Sequence, residues 1–299
     1  MKKYNSYNIK MSLGIGLILF SFIFFSSAWA KDSIRWIHVN YLPFGIVDGP
    51  NKGKGMLDQI TKFMQTRLLE YEHQECVANI IRLLSMLEKE DNACICGLNM
   101  TPDRENKFYF SIPAIIFPGV GIVTRKDLIH VIGNTKRLSL HKLLKNEYLT
   151  LGIPADRSFG EKIDPIINKH NKAKNILYIK GQSLNKSLME MMMFKRIDYM
   201  IARPNEAMYL AKEIGKEDII INIPLEEAEA YLISYIACSK NERGRQVIHK
   251  INQILEKERN TTQYRALMEK WLDENSIIEF RKIYQSIFFN NRVNESDNQ

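Results

Sequence analysis

The residues that offer chemistry in this sequence are few and scattered. Six histidines (His38, His73, His130, His141, His170, His249) never fall into an HxxxH or HExxH spacing, and the four cysteines contain no CxxC pair. A metal centre needs three or four such ligands converging at short range, so these spacings predict no metal. Nucleophile and cofactor motifs are missing as well: there is no GxSxG, no GxGxxG and no SxxK with supporting motifs. The run Gly49-Pro50-Asn51-Lys52-Gly53-Lys54-Gly55 has the composition of a phosphate loop, but its spacing is wrong and no Ser or Thr follows a lysine. It reads as a solvated turn. No catalytic residue and no cofactor is expected.

The cysteines Cys76, Cys94, Cys96 and Cys238 leave their state open. Cys94 and Cys96 flank Ile95 in a strand-like run, so both side chains face one way and stand too close for an unstrained mutual bridge. Four cysteines allow three complete pairings, and buried reduced thiols are an equal alternative.

The strongest local signal is Gly97-Leu98-Asn99-Met100-Thr101-Pro102-Asp103-Arg104, followed by Phe110-Ser111-Ile112-Pro113. A strand ends at Leu98, Thr101 is a good N-cap, and Pro102 suits the first helical position. Arg104 then sits in the first turn, where a cation opposes the helix dipole and needs compensation. One compensation is a surface carboxylate. The other is a ligand carboxylate, gripped through the planar fork of the guanidinium.

The elements that must position these residues alternate in type. Ile34 to Val39 reads as a buried strand ending in the turn Tyr41-Leu42-Pro43-Phe44. A helix over Met56 to Leu69, a strand over Leu69 to Cys76, a helix over Val77 to Glu88 and a strand over Ala93 to Leu98 follow. After the strand-rich run Ile115 to Arg125 the pattern restarts. Strands at Leu149–Ile153, Asn175–Lys180 and Ile197–Ala202 alternate with helices at Phe159–Asn168, Ser183–Phe194 and Asn205–Ile214. Tyr231 to Cys238 returns as a strand, and helices at Gly244–Lys257 and Thr262–Leu272 close the chain. The β-α-β logic runs twice, which argues for two α/β lobes.

The chain has 299 residues and a formal charge of +8. Lys2, Lys3 and Lys10 supply three of those charges, and the remaining +5 is spread through mixed-sign stretches. Such a surface serves solubility, and nucleic-acid binding is not expected. The basic start, the apolar run Met11 to Phe25 and the small residues before Ala30 have the three parts of a secretory signal peptide. That run is shorter than the roughly 20 residues of a membrane span, so cleavage after Ala30 is expected. Residues 290–299 read as a polar tail.

Tyr41 with Pro43 and Phe44, Thr101 with Arg104, Phe110-Ser111 with Pro113, and Asp198 after Arg196-Ile197 resemble, in order and spacing, the periplasmic solute-binding proteins of family 3, the polar amino-acid type. The likeness runs from about Ile34 to Leu272. It implies the α/β two-lobed periplasmic-binding-protein fold of type II, each lobe a mainly parallel sheet flanked by helices, joined by two crossover strands. Lobe 1 would comprise residues 31–122 and 226–289, and lobe 2 residues 123–225.

The resemblance also implies roles. Tyr41 matches the aromatic that packs on the ligand, Arg104 the carboxylate-clamping arginine, and Gly97 and Asn99 the first-lobe lining. Ser158 matches a hydroxyl at a second-lobe helix N-terminus, with Arg157 beside it. The family's acidic partner for a ligand ammonium is replaced here by Arg203, and a second acidic position reads as His38. Glu206, one turn beyond Arg203, is a substitute. Otherwise the cleft suits an anion. The expected protein is a periplasmic, monomeric binder of a small polar or anionic carboxylate-bearing solute, serving a membrane permease of the ABC type or a sensor kinase. A dehydratase-like enzyme using His38 and Glu206, and a sensor with a degenerate cleft, are the alternatives.

Overall fold

The computed structural model describes residues 32–289 except 156, 172, 182 and 183. The expected signal peptide and polar tail lie outside the described residues.

The first lobe opens with β1 (Ser33–His38), α1 (Met56–Gln65), β2 (Glu72–Val77), α2 (Ile80–Lys89) and β3 (Ala93–Leu98). Met56, Ile60, Phe63 and Met64 recur at helical spacing and bury one face of α1. Asn79 caps α2 by accepting the Arg82 amide at 2.9 Å. Then come α3 (Pro102–Lys107), β4 (Phe108–Phe110), β5 (Ile115–Pro118) and, after two residues, β6 (Gly121–Arg125).

The second lobe continues with α4 (Ile129–Ile132), α5 (Leu140–Leu144), β7 (Leu151–Pro154), α6 (Asp164–Lys169) and β8 (Ile176–Ile179). It is completed by α7 (Leu184–Met193), β9 (Tyr199–Ala202), α8 (Pro204–Glu213) and β10 (Ile220–Pro224). The chain then returns to the first lobe through β11 (Tyr231–Ser239), α9 (Glu242–Glu258), α10 (Thr262–Glu269) and α11 (Glu274–Phe288).

Among the described residues the strands form two sheets, ordered β2-β1-β3-β11-β4 with β5 also on β11, and β10-β6-β9-β7-β8. Both are mixed. β1 runs parallel to β2 and β3, and β7 parallel to β8 and β9, as strands joined by helical crossovers do. The antiparallel neighbours are strands attached to the two lobe crossings: β11 against β3, β4 and β5, and β6 against β9 and β10. The second sheet begins at Gly121, two residues before the boundary expected from sequence.

The crossings run side by side at Gly119. A Cβ there would lie 2.0 Å from the Glu229 carbonyl oxygen, so only glycine lets the two segments touch.

Besides the short β4 and α4, two elements escaped the sequence reading, β10 and α11. The second buries Phe280, Tyr284, Ile287 and Phe288 against the first-lobe core, and Asp273 caps it by accepting the Ser276 amide at 2.9 Å. No helix among the described residues is long and apolar enough to cross a membrane. Cys94 and Cys238, directly opposite in the β3–β11 register, form a disulfide, and Cys76 and Cys96 are free. Burial pushes the Cys96 thiol well above its ordinary pKa.

Candidate functional site

A buried carboxylate organises the loop that carries Tyr41. Asp58, in the first turn of α1, accepts the amides of Ile46 at 2.8 Å and Gly55 at 3.0 Å, and faces His38 Nδ1 at 3.2 Å. Within the loop the Tyr41 carbonyl accepts the amides of Phe44 and Gly45, and the Tyr41 amide donates to Gly45. The Tyr41 ring leans on Phe44, with centroids 4.9 Å apart, and stays 43% exposed. Its other side faces a cavity of about 460 Å³.

That cavity draws its walls from both lobes. The first lobe supplies Asn40, Tyr41 and Leu42, and the second supplies Pro154, Arg157, Asn185 and a face of α8. On α8 the lining residues are Glu206, Tyr209, Leu210 and Glu213, the i, i+3, i+4, i+7 spacing of one helical stripe. Pro204 begins the helix, and Glu206 then falls in its first turn, where a carboxylate is favoured by the dipole.

Glu206 is 3% exposed and accepts three hydrogen bonds, which leaves its Oε2 room for one more. Arg157 donates Nη1 to Oε1 and Nη2 to Oε2, each at 2.8 Å, a bidentate fork. Asn185 Nδ2 donates to Oε1 as well. Burial alone would lower the pKa of Arg157, but the hydrogen bonds and charge of Glu206 hold it above the ordinary arginine value. Arg203 stands nearby without lining the cavity. Its Nη1 donates to the carbonyl of Pro118 at the end of β5, and its guanidinium lies 5.9 Å from the centre of the Phe117 ring. Burial holds its pKa below the ordinary value, against the opposing pull of Tyr41 and Glu206.

Of the residues singled out from sequence, Tyr41 and Arg157 meet in this cavity. Gly97, Asn99 and Arg104 gather instead at the C-terminal end of β3, outside its wall. Arg104 Nη1 donates to the Asn99 carbonyl at 2.9 Å, and Thr101 Oγ1 accepts the Arg104 amide at 3.4 Å. Gly97 has φ +92°, and Leu57 of α1 fills the space a Cβ would need. Ser158 does not stand at a helix N-terminus. Pro165 at the start of α6 sets the helix beginning at Asp164, and the Ser158 hydroxyl donates to the Asp164 carboxylate from the preceding loop. The acid and base considered for an enzyme are apart: Glu206 lines the cavity, while His38 is tied to Asp58 behind the Tyr41 loop.

Asn185, Tyr209 and Glu213 were missed. The periodic stripe on α8, two glutamates and a tyrosine on one face, is the signal that could have found the last two; Asn185 has no such marker.

The lobes also touch through first-lobe residues that do not line the cavity. Asn51 Nδ2 donates to Glu213 at 3.1 Å, and Trp271 stands edge-on to Tyr209 with centroids 4.9 Å apart.

Comparison with known proteins follows the same outline. An ancestral cationic amino acid solute-binding protein is similar in structure, with TM-score 0.62 and 17% identity over 81% of this chain and 96% of that one. Substrate-binding domain 2 of GlnP from Lactococcus lactis, in an open conformation, has TM-score 0.59 and 15% identity over 81% and 95% of the two chains. A histidine kinase sensor domain with similarity to periplasmic binding proteins has TM-score 0.52 and 15% identity over 81% and 96%. At these identities the likeness concerns the fold. No curated protein matches the sequence. The family profile of the bacterial extracellular solute-binding proteins, family 3, matches residues 36–274, and the chain belongs to that family.

Proposed function

We propose that this chain is an exported binder that closes its lobes over a small carboxylate-bearing solute, an amino acid in preference to a dicarboxylate. The observation that carries this reading is the Arg157–Glu206 pair in the inter-lobe cavity. A guanidinium and a carboxylate side by side complement the two charges of a zwitterion, the first taking its carboxylate and the second its ammonium. Lys186 and Glu213 on the same walls add one charge of each sign, so the lining is balanced and gives a doubly anionic solute no particular advantage. Glu206 thereby supplies the acid that Arg203 displaced from the strand end.

Tyr41 supports the ligand from the first lobe, and contacts from both lobes shift the open–closed equilibrium. In this reading the seven predicted residues divide. Tyr41 and Arg157 touch the solute. Arg203 positions the crossover beside it, and Gly97, Asn99, Arg104 and Ser158 shape the surrounding loops. Binding is favoured over catalysis because both acid–base candidates are held in pairs and one of them lies outside the cavity. The fold serves transport and sensing alike, so a membrane permease and a sensor kinase are both suitable recipients in the periplasm.

The test is a thermal-shift panel on protein unfolded and refolded to strip any carried ligand. A solute at 100 times its Kd adds about 2.7 kcal/mol, a shift of a few degrees. The expected hit is an amino acid whose effect disappears in both Arg157→Ala and Tyr41→Ala. A dicarboxylate outperforming every amino acid overturns the zwitterion, and a hit indifferent to both variants overturns the cavity.

A further inference from the structure

A second cavity, of about 540 Å³, lies where the chain passes between the lobes. Its floor is formed by the crossover segments around Pro118 and Ile223, and its outer wall by Phe280 and Ile283 of α11. That helix begins at Glu274, the last residue of the family match, so the wall is furnished by a part of the chain beyond the family's shared extent.

The lining combines apolar residues with four charged ones: Lys136, Arg137, Glu229 and Glu279. The two acids already have cationic partners, Glu229 with Lys162 at 2.5 Å and Glu279 with Lys282 at 3.4 Å. The two cations have no carboxylate among the described residues. Arg137 Nη2 donates to the carbonyl oxygens of Leu225 at 2.6 Å and Ala228 at 3.4 Å. Apolar walls with a few polar or charged groups are the usual make-up of a small-molecule site. Each acid has a cation beside it and neither lining cation has a carboxylate, so with Lys162 and Lys282 counted the charge around the cavity is positive and favours an anion.

We infer that this hinge cavity is a second ligand site, for a small carboxylate with an unbranched apolar chain, the chain against Phe280 and Ile283 and the carboxylate toward Lys136 and Arg137. Its walls come from both crossover segments and α11, so an occupant bears on the strands about which the lobes move.

Sodium decanoate, below its micellar concentration, is the probe, with 1-decanol and decyltrimethylammonium as charge controls, read by titration calorimetry on the purified protein. Decanoate is expected to bind with one site per chain and more tightly than either control. Filling the cavity with Ile283→Trp should abolish the signal. Lys136→Met, at an exposed position where folding is not at risk, should weaken binding about tenfold, the loss of one charge-assisted contact. Arg157→Ala, in the other cavity, should leave it unchanged. No binding, equal binding of the three amphiphiles, retention in Ile283→Trp, or loss in Arg157→Ala would each overturn the proposal.

Discussion

Arg157 and Glu206, 49 residues apart in sequence, meet in a bidentate pair with both nitrogen–oxygen distances at 2.8 Å. The carboxylate is buried and the guanidinium mostly so. Removing one partner strands the other charge in a poorly solvated place, and such losses cost about 3 kcal/mol. Glu206→Gln and Arg157→Met should each lower the urea midpoint. The double variant should lose less than the two singles summed, with a coupling of about 1–3 kcal/mol. Strict additivity would mean the pair is not coupled.

Trp271 crosses from the first lobe to stand against Tyr209 of α8, with Lys212 and Lys270 within 6.0 Å and 5.5 Å of its ring. Lobe opening must separate these groups, and Trp36 is sealed in the first-lobe core away from them. Intrinsic fluorescence should therefore change when a cleft ligand shifts the lobes, and the change should vanish in Trp271→Phe while binding persists by calorimetry. A change that survives in Trp271→Phe would show that this contact does not follow the lobe motion.

The disulfide between Cys94 and Cys238 spans 144 residues and ties β3 to β11. Closing so long a loop restricts the unfolded chain by about 5 kcal/mol, which for a chain of this size is on the order of 10 °C in Tm. Cys94→Ala/Cys238→Ala should show a loss of that order. Thiol alkylation of the native protein should mark Cys76 and spare Cys96, which is buried and whose pKa is raised by that burial. Equal labelling of both would contradict the packing around Cys96.

Glu269 joins α10 to α11 through Arg281, and Arg265 of its own helix bonds the same carboxylate. The hydrogen bonds from Arg281 are the main reason its pKa lies below the ordinary 4.5, with Arg265 adding to them against burial. A depressed carboxylate contributes stability that is present above its unfolded pKa and lost as pH falls through its folded value. Stability should drop as the pH is lowered below about 4.5, and Glu269→Gln should flatten that part of the profile and meet the parent at low pH. Parallel profiles for the two proteins would remove Glu269 from the acid transition.

The sequence by itself determined the alternation of elements. Periodic burial at α1, the cap and proline at Thr101-Pro102, and short apolar runs at β1, β3, β7 and β9 are local signals, and two α/β lobes follow from repeating them. Its motif order also carried the family. What it could not decide is which side chains converge. β10 and α11 read weakly because their apolar residues acquire meaning only against the sheet edge and core they cover. Arg104, the residue with the plainest local signal, turns back to its own strand end, while Glu206, seen only as a substitute, is drawn to Arg157 across 49 residues. Cys94 finds Cys238, 144 residues away, because the antiparallel register of β3 and β11 sets them opposite. Capping and periodicity act within a few residues and are written along the chain; charge pairing, register and cavity walls depend on distances that exist only once the lobes have folded.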